Sequence, residues 1–357
     1  MSILFDILKK AYSCEASDVH FRSEDRAWFR IFGEIAPASE RAFGNEELKK
    51  LFETILPEAK KAMFHEGHEV DFACDLPGIA RFRINLYYDL KGVAACFRIL
   101  PAEIRNANDL SLEPGILELC TRSKGLILIT GPTGAGKSTT MASMLDYINL
   151  LRNDHIITIE DPIEFVHPDK NCLVNQREID THTVSFSRAL RAALREDPNV
   201  VLVGEMRDLE TTMVALEVAE TGHLVLSTLH TNSAASTIYR IINQFPKKKQ
   251  EQIRVALASA LIGVVSQVLI PKAFEKGRVS VREVMLVNHA IANLIRENKV
   301  HQIPSIIQMN RKSGMLRMEE GLLDLIEQGE ITAEAALDKA PDRESFEKSL
   351  IAKGLKK

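Results

Sequence analysis

A lysine and a serine stand side by side behind three glycines in GPTGAGKS, residues 131–138, and no other stretch of this chain is so suited to gripping a polyphosphate. The apolar run GLILIT precedes it and a helix-like stretch follows at 139–149, so the motif reads as strand, glycine-rich turn, helix N-terminus. Gly131, Gly134 and Gly136 let the backbone curl without Cβ clashes, so that successive N–H groups point inward at phosphate oxygens. Pro132, Thr133 and Ala135 complete the loop, and Thr139 follows it into the helix, whose N-terminus adds about half a positive charge. Lys137 is spaced to reach the β- and γ-phosphates, and the Ser138 hydroxyl to take one position on Mg²⁺. The chemistry implied is binding of ATP or a similar nucleoside triphosphate with its magnesium.

Hydrolysis needs more than a cradle: a carboxylate to orient water and a group that senses the γ-phosphate. Three segments offer them, each beside an expected strand. In IEDPIE, residues 159–164, the carboxylates of Glu160, Asp161 and Glu164 gather where a strand leaves the sheet and Pro162 enforces a turn; they could hold Mg²⁺ through water or polarise the attacking water. In VVLVGEMRD, residues 200–208, an apolar strand runs into Gly204 and then Glu205, its first carboxylate. Glu205 is expected in the metal shell or as the water-orienting residue, with Gly204 allowing a closer backbone approach. In TGHLVLSTLHTNSA, residues 221–234, His223 and His230 bracket a strand, and either imidazole could donate to a phosphate oxygen or bridge carboxylates. Arg81, Arg83 and Arg98 lie on strand-like pieces nearer the N-terminus, and Arg83 and Arg98 could reach over a nucleotide and neutralise the γ-phosphate. Arg188, Arg191 and Arg195 share one helical face and read as a plain charged surface.

The elements that must position these residues divide the chain in two. Short helices (46–52, 57–65) and strands (27–32, 80–85, 93–99) make an α+β module over 1–100, and a polar stretch with two prolines reads as a linker over 101–113. From 114 to 357 strands at 126–130, 155–159, 200–203 and 224–228 alternate with helices at 139–149, 184–195 and 209–220. That alternation predicts an α/β fold with a mostly parallel sheet, whose ligand sits beyond the carboxyl ends of the strands. The apolar stretch 255–270, shorter than the ~20 residues needed to span a membrane, reads as a buried helix, and everything from about 287 onward as helical.

At 357 residues, 45% hydrophobic and 26% charged, the composition is that of a globular protein of two domains. A net charge of −4 argues against a dedicated nucleic-acid binder. The five cysteines (Cys14, Cys74, Cys96, Cys120 and Cys172) form no C-x-x-C pair, which suits reduced thiols in a cytosol. The N-terminal MSILFDILKK has no apolar core long enough for a signal peptide.

Phosphate loop, acidic box, apolar strand with its glutamate, and histidine box, in this order, resemble the secretion-ATPase superfamily, and within it the type IV pilus retraction (twitching motility) branch. ASDVHF (16–21), ARFRIN (80–85), ALREDPNVVLVGEMRDLET (193–211), AETGHLVLSTLHTNSAA (219–235) and NLIRENKVHQIPSIIQ (293–308) carry the resemblance over nearly the whole chain. It implies a PAS-like N-terminal α+β domain and a RecA-like P-loop ATPase domain with a helical C-terminal region. It also implies a homohexameric ring, cytoplasmic and peripheral to the inner membrane at the pilus base, acting on a membrane platform protein, with a paralogous retraction ATPase as a further candidate partner. By resemblance Lys137 and Ser138 are the Walker-A pair, Glu164 the water-activating acidic-box glutamate and Glu205 the Walker-B glutamate. His223 and His230 match the histidine box, and Arg83 and Arg98 the arginines that approach the phosphates.

The segment 269–279 holds no cysteine, whereas pilus-assembly and type II secretion relatives usually insert a four-cysteine zinc motif there, which favours retraction. One departure stands out: AIANLIRE at 290–297 has Ala292 where the family signature has arginine. Two other readings stay open at this point, a related export or assembly motor and a non-hydrolysing nucleotide-gated scaffold that joins an active motor.

Overall fold

The structure, a computed structural model, describes residues 3–100, 103–274 and 276–356. The chain forms two compact units: Met1–Glu103 together with Pro162–Val166, and Ile104–Asp161 together with His167–Lys357. The short excursion of 162–166 into the first unit has no counterpart in a division by sequence position.

The first unit is built on an antiparallel sheet of β1 (Asp18–Arg22), β2 (Trp28–Ile31), β3 (Glu34–Pro37), β4 (Val70–Leu76), β5 (Ala80–Asp89) and β6 (Gly92–Leu100), ordered β3-β2-β1-β6-β5-β4. Strand alternation sorts β5 cleanly. Phe82, Ile84 and Leu86 are fully buried, while Arg81 and Arg83 fall on the other face. The buried face meets Leu4 and Leu8 of the helix Ile3–Ser13 and Leu48 and Phe52 of the helix Asn45–Glu53 in one hydrophobic cluster. At its centre the Phe21 and Phe97 rings sit edge to face, centroids 5.5 Å apart.

The second unit holds β7 (Gly125–Thr130), β8 (His155–Glu160), β9 (Leu173–Glu178), β10 (Val200–Val203), β11 (Leu224–Leu229), β12 (Leu261–Pro271) and β13 (Arg278–Leu286), ordered β13-β12-β7-β11-β10-β8-β9. All pairs are parallel except β12–β13. The central strands are apolar on both faces because both are covered: Leu126 and Leu128 of β7 join one cluster, Ile127 and Ile129 the other. One face carries the helices Phe186–Ala193, Leu209–Glu220, Ala234–Gln244 and Lys247–Ala260; the other carries Lys137–Leu151 and Pro114–Cys120. Among the described residues five further α-helices, from His289–Arg296 to Arg343–Ala352, follow β13, the last three packing on Ile270 and Val281 through Met318, Leu322, Leu337, Phe346 and Leu350.

The expectation of a buried helix over 255–270 is corrected. The helix Lys247–Ala260 ends at Leu261, whose backbone is already extended (φ −70°, ψ 124°), and β12 begins there without a connecting loop. An apolar run of this length suits a doubly covered strand as well as a buried helix. Gly263 settles the packing in favour of the strand, since a Cβ there would lie 2.4 Å from Leu119. The sheet also has an edge strand, β9, that its mixed sequence LVNQRE did not announce.

Candidate nucleotide site

The carboxyl ends of the parallel strands gather the chemistry of the second unit. β7 ends at Thr130 and hands over to the phosphate loop, β10 ends one residue before Gly204 and Glu205, and β11 ends one residue before His230. Gly131, Gly134 and Gly136 have φ of 145°, 77° and 83°, the region glycine alone enters freely. The helix begins at Lys137, with Gly136 as its left-handed cap residue. The first turn of the helix, from Lys137 to Thr139, thus lies at the loop, and a helix N-terminus is suited to donating to an anion. Pro132, Thr133 and Gly134 are exposed, and Ala135 is buried beneath them.

The Lys137 ammonium folds over the loop, donating to the Gly131 carbonyl at 2.8 Å and the Pro132 carbonyl at 3.1 Å. It also faces His230 Nδ1 at 3.5 Å, while His230 Nε2 lies 3.2 Å from Glu205 Oε2. An ammonium can only donate, so Nδ1 accepts and the proton sits on Nε2, which donates to Glu205. Partial burial, then the Lys137 and Arg207 charges, lower the His230 pKa, which keeps this neutral tautomer in place. Glu205 is 15% exposed and also pairs with Arg207. Gly204 is not forced by close packing: a Cβ there would meet Ile159 O at 3.4 Å and Glu160 Cα at 3.5 Å, about ordinary contact distances. Its N–H donates to Ile159 O at 2.8 Å and its carbonyl accepts from Thr228 Oγ1 at 2.6 Å, so the strand-end geometry is held by the backbone.

Glu160 is buried and accepts from Thr158 Oγ1 at 2.7 Å and Gln176 Nε2 at 3.2 Å, while Asp161 is exposed. Glu164, Arg83 and Arg98 belong to the first unit. Arg83 Nη2 donates to Asp71 at 2.6 Å and Arg98 Nε to Asp18 at 2.9 Å, so each arginine already holds a carboxylate of its own sheet. Arg81, which the sequence did not distinguish from its neighbours, donates through Nε to the Ile163 carbonyl at 3.0 Å and so fixes the residue before Glu164.

His223 requires a correction. It precedes β11, six residues long, so it stands about 20 Å from His230, at the amino end of the strands. Its carbonyl accepts from Gly125 N at 3.0 Å and its Nδ1 faces Val218 O at 3.0 Å. Two histidines flanking one strand necessarily lie at its opposite ends, and only His230 shares this chain's phosphate-facing edge. The Arg191–Glu210 ion pair is a surface contact, and Arg195 lies beyond the helix that carries Arg188 and Arg191. Ala292, in the arginine position of the signature, is 7% exposed and lies in the hydrophobic cluster.

The Ser138 hydroxyl, the Glu205 carboxylate and the Lys137 ammonium stand at the ends of neighbouring strands, and this donor set fits a magnesium–nucleotide, since Mg²⁺ takes hard oxygen ligands such as those of Ser138 and Glu205. Known proteins agree with that chemistry. The sequence matches the family described as "Type II/IV secretion system protein" over residues 1–338. A twitching motility protein of Neisseria gonorrhoeae is 44% identical over 317 residues, 89% of this chain and 85% of that one. The type IV pilus retractation ATPase PilT of Pseudomonas aeruginosa is 44% identical over 331 residues, 93% of this chain and 96% of that one. The crystal structure of the pilus retraction motor PilT with bound ADP superposes with a TM-score of 0.90 at 47% identity, covering 98% of this chain and 99% of that one. With the motifs at the strand ends and the likeness running through both units, the chain belongs to the type II/IV secretion system protein family.

Proposed function

We propose that this chain is an ATP-hydrolysing motor that drives type IV pilus retraction, and with it twitching motility, by disassembling pilin as a homohexameric ring. The observation that carries the reading is the line Lys137–His230–Glu205 laid across the mouth of the phosphate loop. Such a line joins a phosphate-binding cation to a candidate catalytic carboxylate, so both can respond to one γ-phosphate.

The loop N–H groups and Lys137 bind the phosphates, and Lys137 exchanges its carbonyl partners Gly131 and Pro132 for phosphate oxygens. Glu205 orients water for in-line attack, with His230 Nε2–H fixing its carboxylate; Glu164 is the second carboxylate assigned to that water. Ser138 and Glu205 would hold Mg²⁺, which would supply charge neutralisation on the phosphate oxygens. Arg83 and Arg98 act as clamps on the γ-phosphate once released from Asp71 and Asp18.

The ring works at the cytoplasmic base of the pilus on an inner-membrane platform protein, with a paralogous retraction ATPase as a further partner. Among the described residues no helix is long and apolar enough to cross a membrane, which suits a peripheral motor. A related assembly or export motor is the second reading, and the cysteine-free segment 269–279 weighs against it. Steady-state ATPase assays on wild type, Lys137→Ala and Glu205→Ala, with light scattering on the same samples, test the motor. Mg²⁺-dependent turnover by a hexamer, lost in both variants, is expected. A folded hexamer that binds ATP without turnover would instead make the chain a nucleotide-gated scaffold. Pilus retraction in cells carrying the disrupted gene then decides between retraction and assembly.

A further inference from the structure

β12 reaches the phosphate loop from below. Gln267 is 1% exposed, and its side-chain Nε2 donates to the Ala135 carbonyl at 2.6 Å. Its backbone carbonyl would lie 2.3 Å from a Cβ at Gly131, and its Nε2 3.3 Å from a Cβ at Gly136. One residue earlier the Ser266 and Thr130 hydroxyls meet at 2.7 Å across paired strand positions, so the polar seam continues into the last residue before the loop.

The peptide joining Ala135 and Gly136 is planar and trans, so its C=O and N–H point in opposite directions. Pinning the Ala135 carbonyl down onto Gln267 turns the Gly136 N–H away from β12, toward the concave side of the loop. The side chain gains little else, because Gln267 Oε1 is buried with no hydrogen-bond partner. A buried, unpaired carbonyl is unfavourable for folding, so an apolar residue of the same shape would serve the core better. Such local inconsistencies gather at functional sites.

We propose that Gln267 is a positioning residue of the nucleotide site: by holding the Ala135 carbonyl it aims the Gly136 N–H at the nucleotide's outer phosphates and so sets affinity for the diphosphate group. The proposal rests on the nucleotide-site reading above.

Gln267→Met keeps the shape and removes the donor; Gln267→Glu keeps the shape, removes the donor and adds charge. Calorimetric titration of each purified full chain with ADP and with AMP, beside apo melting temperatures, is the test. ADP affinity is expected to fall at least fivefold in both variants while AMP affinity changes less than twofold and the apo Gln267→Met protein melts no lower than wild type. Unchanged ADP affinity, or ADP and AMP weakened by the same factor, would overturn the proposal. So would failure of both variants to fold, which would make Gln267 a stability residue only. Wild type that fails to prefer ADP over AMP would sink the nucleotide-site reading itself, an outcome seen before any variant is measured.

Discussion

His230 Nε2 stands 3.2 Å from Glu205 Oε2, with the other ring nitrogen turned to the Lys137 ammonium. The imidazole touches both the ammonium proposed to grip phosphate and the carboxylate proposed to orient water, yet supplies no charge of its own in the neutral form. Its removal should therefore disturb alignment more than binding. His230→Ala is expected to lower kcat by about 10- to 100-fold, the usual cost of a lost orienting partner, with ADP affinity within about threefold of wild type. Single-turnover and steady-state assays with ADP titration would read the two quantities, and an equal loss in both would sink the alignment role.

The loop glycines should differ sharply in their tolerance of a methyl group. A Cβ at Gly131 would lie 2.3 Å from the Gln267 carbonyl, at a φ of 145° that alanine avoids, whereas a Cβ at Gly134 meets nothing within 4 Å. Gly131→Ala is expected to cost at least about 2–3 kcal/mol through backbone strain and overlap. Gly134→Ala should cost about 1 kcal/mol for its left-handed φ alone. Urea unfolding of the two variants checks the order, and equal costs would mean the close approach of β12 to Gly131 is not maintained in solution.

Much of the second unit was legible before any coordinates. GLILIT, VVLV and LVLSTL are largely apolar runs that lead into the glycine loop, into Gly204–Glu205 and into His230, and strands covered on both faces produce that pattern. LIGVVSQVLI has the same composition but abuts a real helix without a turn signal, so periodicity alone could not separate helix from strand. That ambiguity hid Gln267, whose proximity to the phosphate loop exists only because the segment is a strand beside β7. The ordering of His230 between Lys137 and Glu205 was hidden too, since it depends on β7, β11 and β10 being sheet neighbours, a long-range fact no local motif carries. The opposed positions of His223 and His230 could have been found from strand length alone.

Arg81 makes a separable prediction in the first unit. Its Nε–H donates to Ile163 O at 3.0 Å, one residue before Glu164, and its side chain is only 14% exposed. Arg81→Ala should free the acidic-box segment and lower kcat by about tenfold through misplacement of Glu164, while ADP affinity stays within about twofold. Arg81→Lys should not restore the rate, because a lysine lacks the planar fork that serves Asp75 and Ile163 together. Parallel ATPase and ADP-binding measurements decide it; a wild-type kcat in Arg81→Ala would remove the residue from the mechanism.

Burial of His167 should write itself into the pH dependence of stability. The ring is 7% exposed, and its burial lowers its pKa from 6.5 to about 4, against the pull of Asp146 and with a smaller contribution from Lys170. The unfolded chain binds this proton more readily than the folded one. The stability from His167 is thus fully present above pH 6.5 and is lost as pH falls toward 4. A depression of this size corresponds to roughly 3 kcal/mol over that window. Replacing the ring with a group that cannot titrate, as in His167→Gln, should flatten this part of the profile even if it lowers stability at pH 7. Chemical denaturation at half-unit pH steps measures both curves; a wild-type slope unchanged in the variant between pH 6.5 and 4 would assign the acid sensitivity to other groups.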